Sequence, residues 1–235
     1  MWKNINLEEC IFRIHQLSSS ENRSLPAVRP SVTISRMAGA GGRTVASRLA
    51  DELQPYAPYG YHWTVFDKNL IEKVLEDHHL SKQLAEYLPE STRFSAAGMP
   101  DGLRHHNISV STVVKHSVET IWKLANNGFV ILVGRAANII TAKMENVLHA
   151  RLVGSMEKRI ARLENVYDFD RSAAHEYLKA QDLEKKRYVK EFFGRDIEDP
   201  LLYHLIINTD GISYDKAAHL IADAVVSRFK LRHCC

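Results

Sequence analysis

Cysteine is scarce in this chain: Cys10, Cys234 and Cys235 are the only three among 235 residues. They offer neither a disulfide framework nor a metal-ligand spacing, so a reducing cytoplasm is the expected setting. No apolar run approaches the roughly 20 residues that cross a bilayer. The opening Met1-Trp2-Lys3-Asn4 lacks the basic-then-apolar build of a signal peptide. Cys234-Cys235 is no prenylation box, because that motif sets its cysteine four from the end; residues 231–235 read as a frayed tail. Charge of one sign is not in excess either, with 31 Lys and Arg against 28 Asp and Glu and a net charge of +3. That balance argues against nucleic acid or a membrane surface as a partner. Repeats and low-complexity tracts are also missing. What is present is ordinary for a globular protein, 45% hydrophobic and 25% charged. Such a chain can hold one sizeable domain with an ample core.

The densest local signal is Val32-Thr33-Ile34-Ser35-Arg36-Met37-Ala38-Gly39-Ala40-Gly41-Gly42-Arg43-Thr44-Val45-Ala46. A β-branched run ends in a glycine-rich turn, and Thr44 to Leu53 continues as an amphipathic helix. Strand, glycine loop and helix together present backbone N–H groups and a helix N-terminus to a phosphate. A tight turn without ligand is the plainer alternative. The loop departs from G-x-x-x-x-G-K-[ST]: with Thr44 at the hydroxyl position, Gly42 stands where the lysine belongs and Arg43 follows it.

Along the chain, residues 5–17 carry apolar positions near helical spacing, and a Ser- and Pro-containing linker follows. This 1–30 arm packs on the body or offers a homodimer contact. Trp63 to Asp67 is a β-prone run ending in a carboxylate, and residues 69–75 read as helix. Residues 79–106 are polar and irregular; a helix follows from about Ser109 to Asn126. Phe129 to Val133 is continuously apolar, the mark of a strand covered on both faces, and Gly134-Arg135-Ala136-Ala137-Asn138 opens a further helix. Val147 to Val153 is strand-like, a charged helix starts near Met156, a long one spans 170–192, Leu205 to Asn208 is a last strand, and a helix capped by Ser213 runs to Phe229. Alternation of this kind predicts a parallel sheet covered by helices, with its site at the carboxyl ends of the strands.

Four segments in this order resemble the cytidylate kinase-like family, within the P-loop nucleoside monophosphate kinases. They are Ile34-Ser35-Arg36 with Gly39 to Arg43; Phe66-Asp67-Lys68-Asn69-Leu70-Ile71; Val133-Gly134-Arg135-Ala136-Ala137-Asn138; and Phe192-Phe193-Gly194-Arg195-Asp196 with Leu205 to Thr209. The resemblance covers about residues 32–229. It implies an α/β, three-layer P-loop NTPase fold with a five-stranded parallel sheet, in a kinase-like domain over 31–230. It further implies a helical acceptor-covering region over 79–127 and a lid over 168–198. The implied reaction moves the γ-phosphoryl group of ATP, with Mg²⁺, to a nucleoside monophosphate such as CMP or dCMP. A kinase for another small acceptor and a nucleotide-binding regulatory module without turnover are the rivals.

The resemblance also distributes roles. Arg36, Gly39, Ala40, Gly41, Gly42, Arg43 and Thr44 would hold the donor phosphates, with Thr44 also on magnesium. Arg159 and Arg162 would pack at the donor base, although charged helix faces commonly meet only water. Arg43, Arg135, Lys185, Arg187 and Arg195 would clamp the transferring group, because phosphoryl transfer is mostly positioning and charge neutralisation. Asp182 and Glu184 offer Lys185, Lys186 and Arg187 a simpler fate as salt-bridge partners. Asp67, Gly134, Arg135 and Asn138 would meet the acceptor; Asp67 fits equally a helix cap or a magnesium ligand. Better-understood relatives carry a lysine at the place of Gly42 and a carboxylate at that of Val133. The pairs His78-His79 and His105-His106 read as non-metal, since adjacent side chains point apart. Asn208-Thr209 reads as a turn, and Tyr56, Tyr59, Tyr61 and Trp63 as a ribbon packed on the core.

Overall fold

The computed structural model of the chain describes residues 29–67, 70, 74, 77, 78 and 110–233. Residues 1–28 of the expected 1–30 arm, most of the helix read over 69–75, the irregular region 79–106 and Cys234-Cys235 lie outside the described residues. Five strands form one sheet: β1 (Ser31–Arg36), β2 (Thr64–Phe66), β3 (Val130–Val133), β4 (Val147–Val153) and β5 (Leu205–Asn208). Their order is β2-β3-β1-β4-β5, and every neighbouring pair is parallel. Parallel strands need crossover connections, and these run through α1 (Gly42–Leu53), α2 (Val110–Asn127), α3 (Ala137–Ile140), α4 (Met156–Tyr167) and α5 (Arg171–Phe193), while α6 (Tyr214–Phe229) follows β5. No described helix is long and apolar enough to cross a membrane.

Period-2 alternation along β1, β3 and β4 sorts the core into layers. Val32, Ile34, Ile131, Val133, Ala150 and Leu152 face α1 and α6, where Val45, Leu49, Ala218 and Ile221 complete one cluster. Val130, Leu132 and Val147 face α2, against Val118, Ile121 and Trp122. Side chains capable of accepting an N–H fix the helix starts where the sequence sets them: Ser155 accepts from Lys158 N, Asp170 from Ser172 N and Ala173 N, and Ser213 from Lys216 N. The aromatic ribbon divides. Trp63 is buried, and both it and Tyr61 pack on Phe129, while Tyr59 is wholly exposed.

Between β1 and β4 the second face is polar, although it is buried. Ser31, Thr33 and Ser35 alternate there with His149 and Arg151 of β4. Thr33 Oγ1 lies 2.8 Å from His149 Nδ1, Ser31 Oγ donates to Ala125 O, and Arg151 Nη1 donates to Ser35 Oγ. His149 N donates to His204 Nδ1, and the two imidazoles stack 4.9 Å apart. Hydrogen bonding is what makes such a seam tolerable in a core.

Burial, then the positive fields of His204 and Arg228, lower the His149 pKa from 6.5 to about 3. The unfolded chain therefore takes up a proton that the folded chain refuses. The stabilisation is complete above pH ~6.5 and is lost as pH falls toward 3, by up to ~1.4 kcal/mol per pH unit from this group. Urea unfolding at pH 6.5 and pH 4.5 should show a steeper loss in the wild type than in His149→Gln; equal slopes would remove His149 as the cause.

Candidate active site

β1 delivers Arg36 to the carboxyl edge of the sheet, and the chain reverses through Met37 to Gly41 before α1 begins at Gly42. Gly39 and Gly41 have φ of 76° and 84°, where a Cβ is strained. Space is equally restrictive. A Cβ on Gly41 would stand 2.3 Å from the Tyr214 ring, and one on Gly42 only 2.8 Å from Arg36 Cγ. The stem of Arg36 thus crosses the position where the standard motif has lysine. Its Nη2 lies 3.6 Å from Asp67 Oδ1, and Arg43 Nε lies 3.4 Å from Asp67 Oδ2. Asp67, at the end of β2, is mostly buried between these two guanidinium groups, while Arg43 is 71% exposed.

The loop is held from the other side by α5. Ala38 N donates to Asp182 Oδ1 at 2.7 Å, and Arg159 Nη1 donates to Asp182 Oδ2 at 2.6 Å and to Ala38 O at 3.0 Å. Arg159 Nε donates to Gly154 O. One amide at the start of the loop is thus occupied by a carboxylate of the chain itself. Arg159 is buried and spends these donors on protein acceptors, which makes it a tie between α4, α5 and the loop. Arg162 sits differently: its Nη2 donates to Thr44 Oγ1 at 2.9 Å, and its guanidinium lies 4.4 Å from the Tyr214 ring centroid.

A second wall is built after β3. Gly134, Arg135 and Ala136 all have positive φ (84°, 55° and 56°), a strained conformation for the two residues that carry a Cβ. The turn lines a cavity together with Arg36, Asn138 and Lys185. Asn138 is buried, and its Nδ2 has no hydrogen-bond partner among the described residues, an expensive state unless a ligand accepts from it. An adjoining cavity of about 200 Å³ is lined by Arg36, Arg151, Asp182, Lys185 and Lys186.

The structure therefore brings together Arg36, Arg43, Asp67, Gly134, Arg135, Asn138 and Lys185 around the loop Gly39, Ala40, Gly41, Gly42 and Thr44. Arg187 and Arg195 are exposed and line neither cavity. Lys186 pairs with Glu198, and Asp182 with Arg159, so pairing of Lys186 with Asp182 or Glu184 is replaced by bonds to other elements. Asn208 Oδ1 accepts from Asp210 N, and Thr209 Oγ1 donates to Val153 O, as a turn requires. Sequence reasoning missed Arg151, which is buried, donates to Ser35 Oγ and to Tyr203 Oη, and faces the larger cavity. A lone charge inside an apolar strand was its signal.

Residues 31–211 match the sequence profile of the cytidylate kinase-like family. The chain belongs to that family. A cytidylate kinase from Staphylothermus marinus is 27% identical over 164 residues, which is 62% of this chain and 87% of the relative. The crystal structure of an uncharacterised protein from Eubacterium ventriosum superposes with a TM-score of 0.62 at 21% identity, covering 85% of this chain and 99% of that one. That likeness concerns the fold. Membership of this kinase family supports nucleotide kinase activity and leaves the acceptor undetermined.

The packing of Tyr214 on the loop can be separated from the backbone requirement. Gly60 has φ 82°, and a Cβ placed there would meet nothing within 4 Å, so Gly60→Ala should cost only the ~1–3 kcal/mol of an unfavourable φ. Gly41→Ala should cost clearly more in urea denaturation, and adding Tyr214→Ala should return part of the loss. Equal losses for the two glycines would show that the ring contact is unimportant.

Proposed function

We propose that this chain transfers the γ-phosphoryl group of ATP to a nucleoside monophosphate, with CMP or dCMP as the acceptor. The observation that carries this reading is the convergence of Arg36, Arg135, Lys185 and the Asn138 amide, whose Nδ2 has no partner among the described residues, on one cavity beside the glycine loop. In the proposed reaction an acceptor phosphate oxygen attacks the γ-phosphorus. The bond from that phosphorus to the β,γ-bridging oxygen breaks, and ADP leaves with the electron pair. No protein nucleophile or base is needed, because the acceptor phosphate is already anionic. The chain supplies alignment and electrostatic stabilisation.

Donor phosphates suit the loop, whose Ala38 amide already donates to a carboxylate oxygen. Arg43, beside that loop, replaces the missing lysine as a planar, bridging cation. Arg36 and Lys185 stand between the donor loop and the cavity, where the transferring group would be. Gly134, Arg135 and Asn138 form the acceptor side. Thr44 Oγ1, which accepts from Arg162, and Asp67, which faces Arg36 and Arg43, are the oxygens that would hold magnesium, and the ion would neutralise donor charge there. Arg162 would hold Thr44 and the Tyr214 ring in place. The lid role falls to α5 through Lys185, with Arg187 and Arg195 outside the cavity until it closes.

The test is a coupled assay with ATP and Mg²⁺ against CMP, dCMP, UMP, AMP and GMP. Turnover on a pyrimidine monophosphate is expected, with kcat falling ~10²–10³-fold in Arg43→Ala and in Lys185→Ala. The dichroism of both variants should match the wild type. Nucleotide binding without diphosphate formation from any acceptor would replace this reading with a binding module. Turnover on a non-nucleotide acceptor alone would replace the acceptor.

A further inference from the structure

Away from the phosphate loop, three potential ligands meet where residue 78 contacts α2. His116 and Glu119 lie at i and i+3, on one face of α2, and His78 comes from the other side of residues 79–109. His78 Nε2 is 3.7 Å from Glu119 Oε2, and His116 Nδ1 is 3.8 Å from the same oxygen. All three ligand atoms fall within 4.8 Å of one another, the one such group of three among the described residues. From these positions we propose that His78, His116 and Glu119 bind a divalent transition-metal ion of the Zn²⁺ class, tying the segment at residue 78 to α2.

Two features favour an ion over a hydrogen-bonded cluster. The separations are too long for hydrogen bonds. They are close to the ~3.4 Å that separates two ligands of one tetrahedral ion at bond lengths of ~2.0–2.2 Å. Small side-chain rotations close the difference. His116 Nδ1 is also buried and has no hydrogen-bond partner among the described residues. An orphaned imidazole nitrogen aimed at a carboxylate oxygen is costly in itself and satisfied by a shared cation. The imidazoles pack against each other, tilted by 33° with ring centroids 3.9 Å apart. Thr120 Oγ1 lies 3.4 Å from both His78 Nε2 and Asp77 Oδ2, and its contact with Nε2 is the one an ion would displace.

Chemistry then selects the ion. Two imidazoles and one carboxylate suit Zn²⁺, Co²⁺ or Ni²⁺, whereas Mg²⁺ prefers an all-oxygen shell. The site is therefore independent of the magnesium in the proposed phosphoryl transfer, and it does not rest on that reading. Three protein ligands leave a fourth position for water. Because the ion would bind only the folded chain, and would bridge two elements distant in sequence, it would act as a removable cross-link.

The test uses the full chain with Cys10, Cys234 and Cys235 changed to serine in every sample, so that thiolates do not compete. After chelator treatment, Zn²⁺ is titrated against a chromogenic competitor in millimolar Mg²⁺, and Co²⁺ is used to read ligand-field absorption. One Zn²⁺ per chain is expected, with a rise in Tm. Affinity should fall at least tenfold in His116→Ala and in Glu119→Gln, and should be unchanged in His219→Ala, whose imidazole pairs with Glu52 elsewhere on the surface. Glu119→Gln preserves shape, so it decides the matter should His116→Ala fail to fold. No stoichiometric binding, or binding that survives both substitutions, would overturn the proposal.

Discussion

One carboxylate organises the functional edge of this molecule. Asp182 accepts from the Ala38 amide and from Arg159, and so joins α5, α4 and the loop after β1 at a single point. The pair is largely removed from water, where charged groups are tolerated only with good geometry and further hydrogen bonds. Both conditions are met, since Arg159 also donates to Ala38 O and Gly154 O. The consequence is positional. Lys185 lies one turn beyond Asp182 on α5, so fixing Asp182 against the loop also sets Lys185 beside Arg36 and Arg135.

The sheet provides the other half of the construction. With every neighbouring pair parallel, all five strands end at the same edge, and Arg36, Asp67 and Gly134 emerge there from β1, β2 and β3. The polar seam between β1 and β4 extends this chemistry into the core. Ser35 and Arg151 bring it to the cavity edge, while Thr33 and His149 lie one step deeper. Burying an arginine in a strand is unfavourable unless its donors are met. Here Ser35 and the phenol of Tyr203 meet some of them, and the cavity adjoins the rest.

Much of this fold is legible in residue patterns. The continuous apolar run at 129–133, the β-branched approach to Gly39, and the cap at Ser213 are local signals, and local physics produces them. The glycine loop was legible for the same reason, although its glycines answer to Tyr214 and Arg36 as much as to a ligand. Contacts between distant segments were not legible. Nothing local links Arg162 to Thr44, or Asp182 to the Ala38 amide. Helical spacing made Lys185, Lys186 and Arg187 look equivalent, yet packing turns Lys185 to the cavity, pairs Lys186 with Glu198 and leaves Arg187 exposed. Nor could local spacing link His78 to His116, which meets it from another element.

The ring of Tyr214 belongs to the first turn of the last helix, and it presses on Gly41 near the beginning of the domain. The wider face of α6 likewise packs against α1, whose own start is that same glycine turn. During synthesis, the strand and glycines emerge from the ribosome long before the helix that supports them. A chain cut short before residue 214 would therefore carry every glycine of the loop without the wall that shapes it.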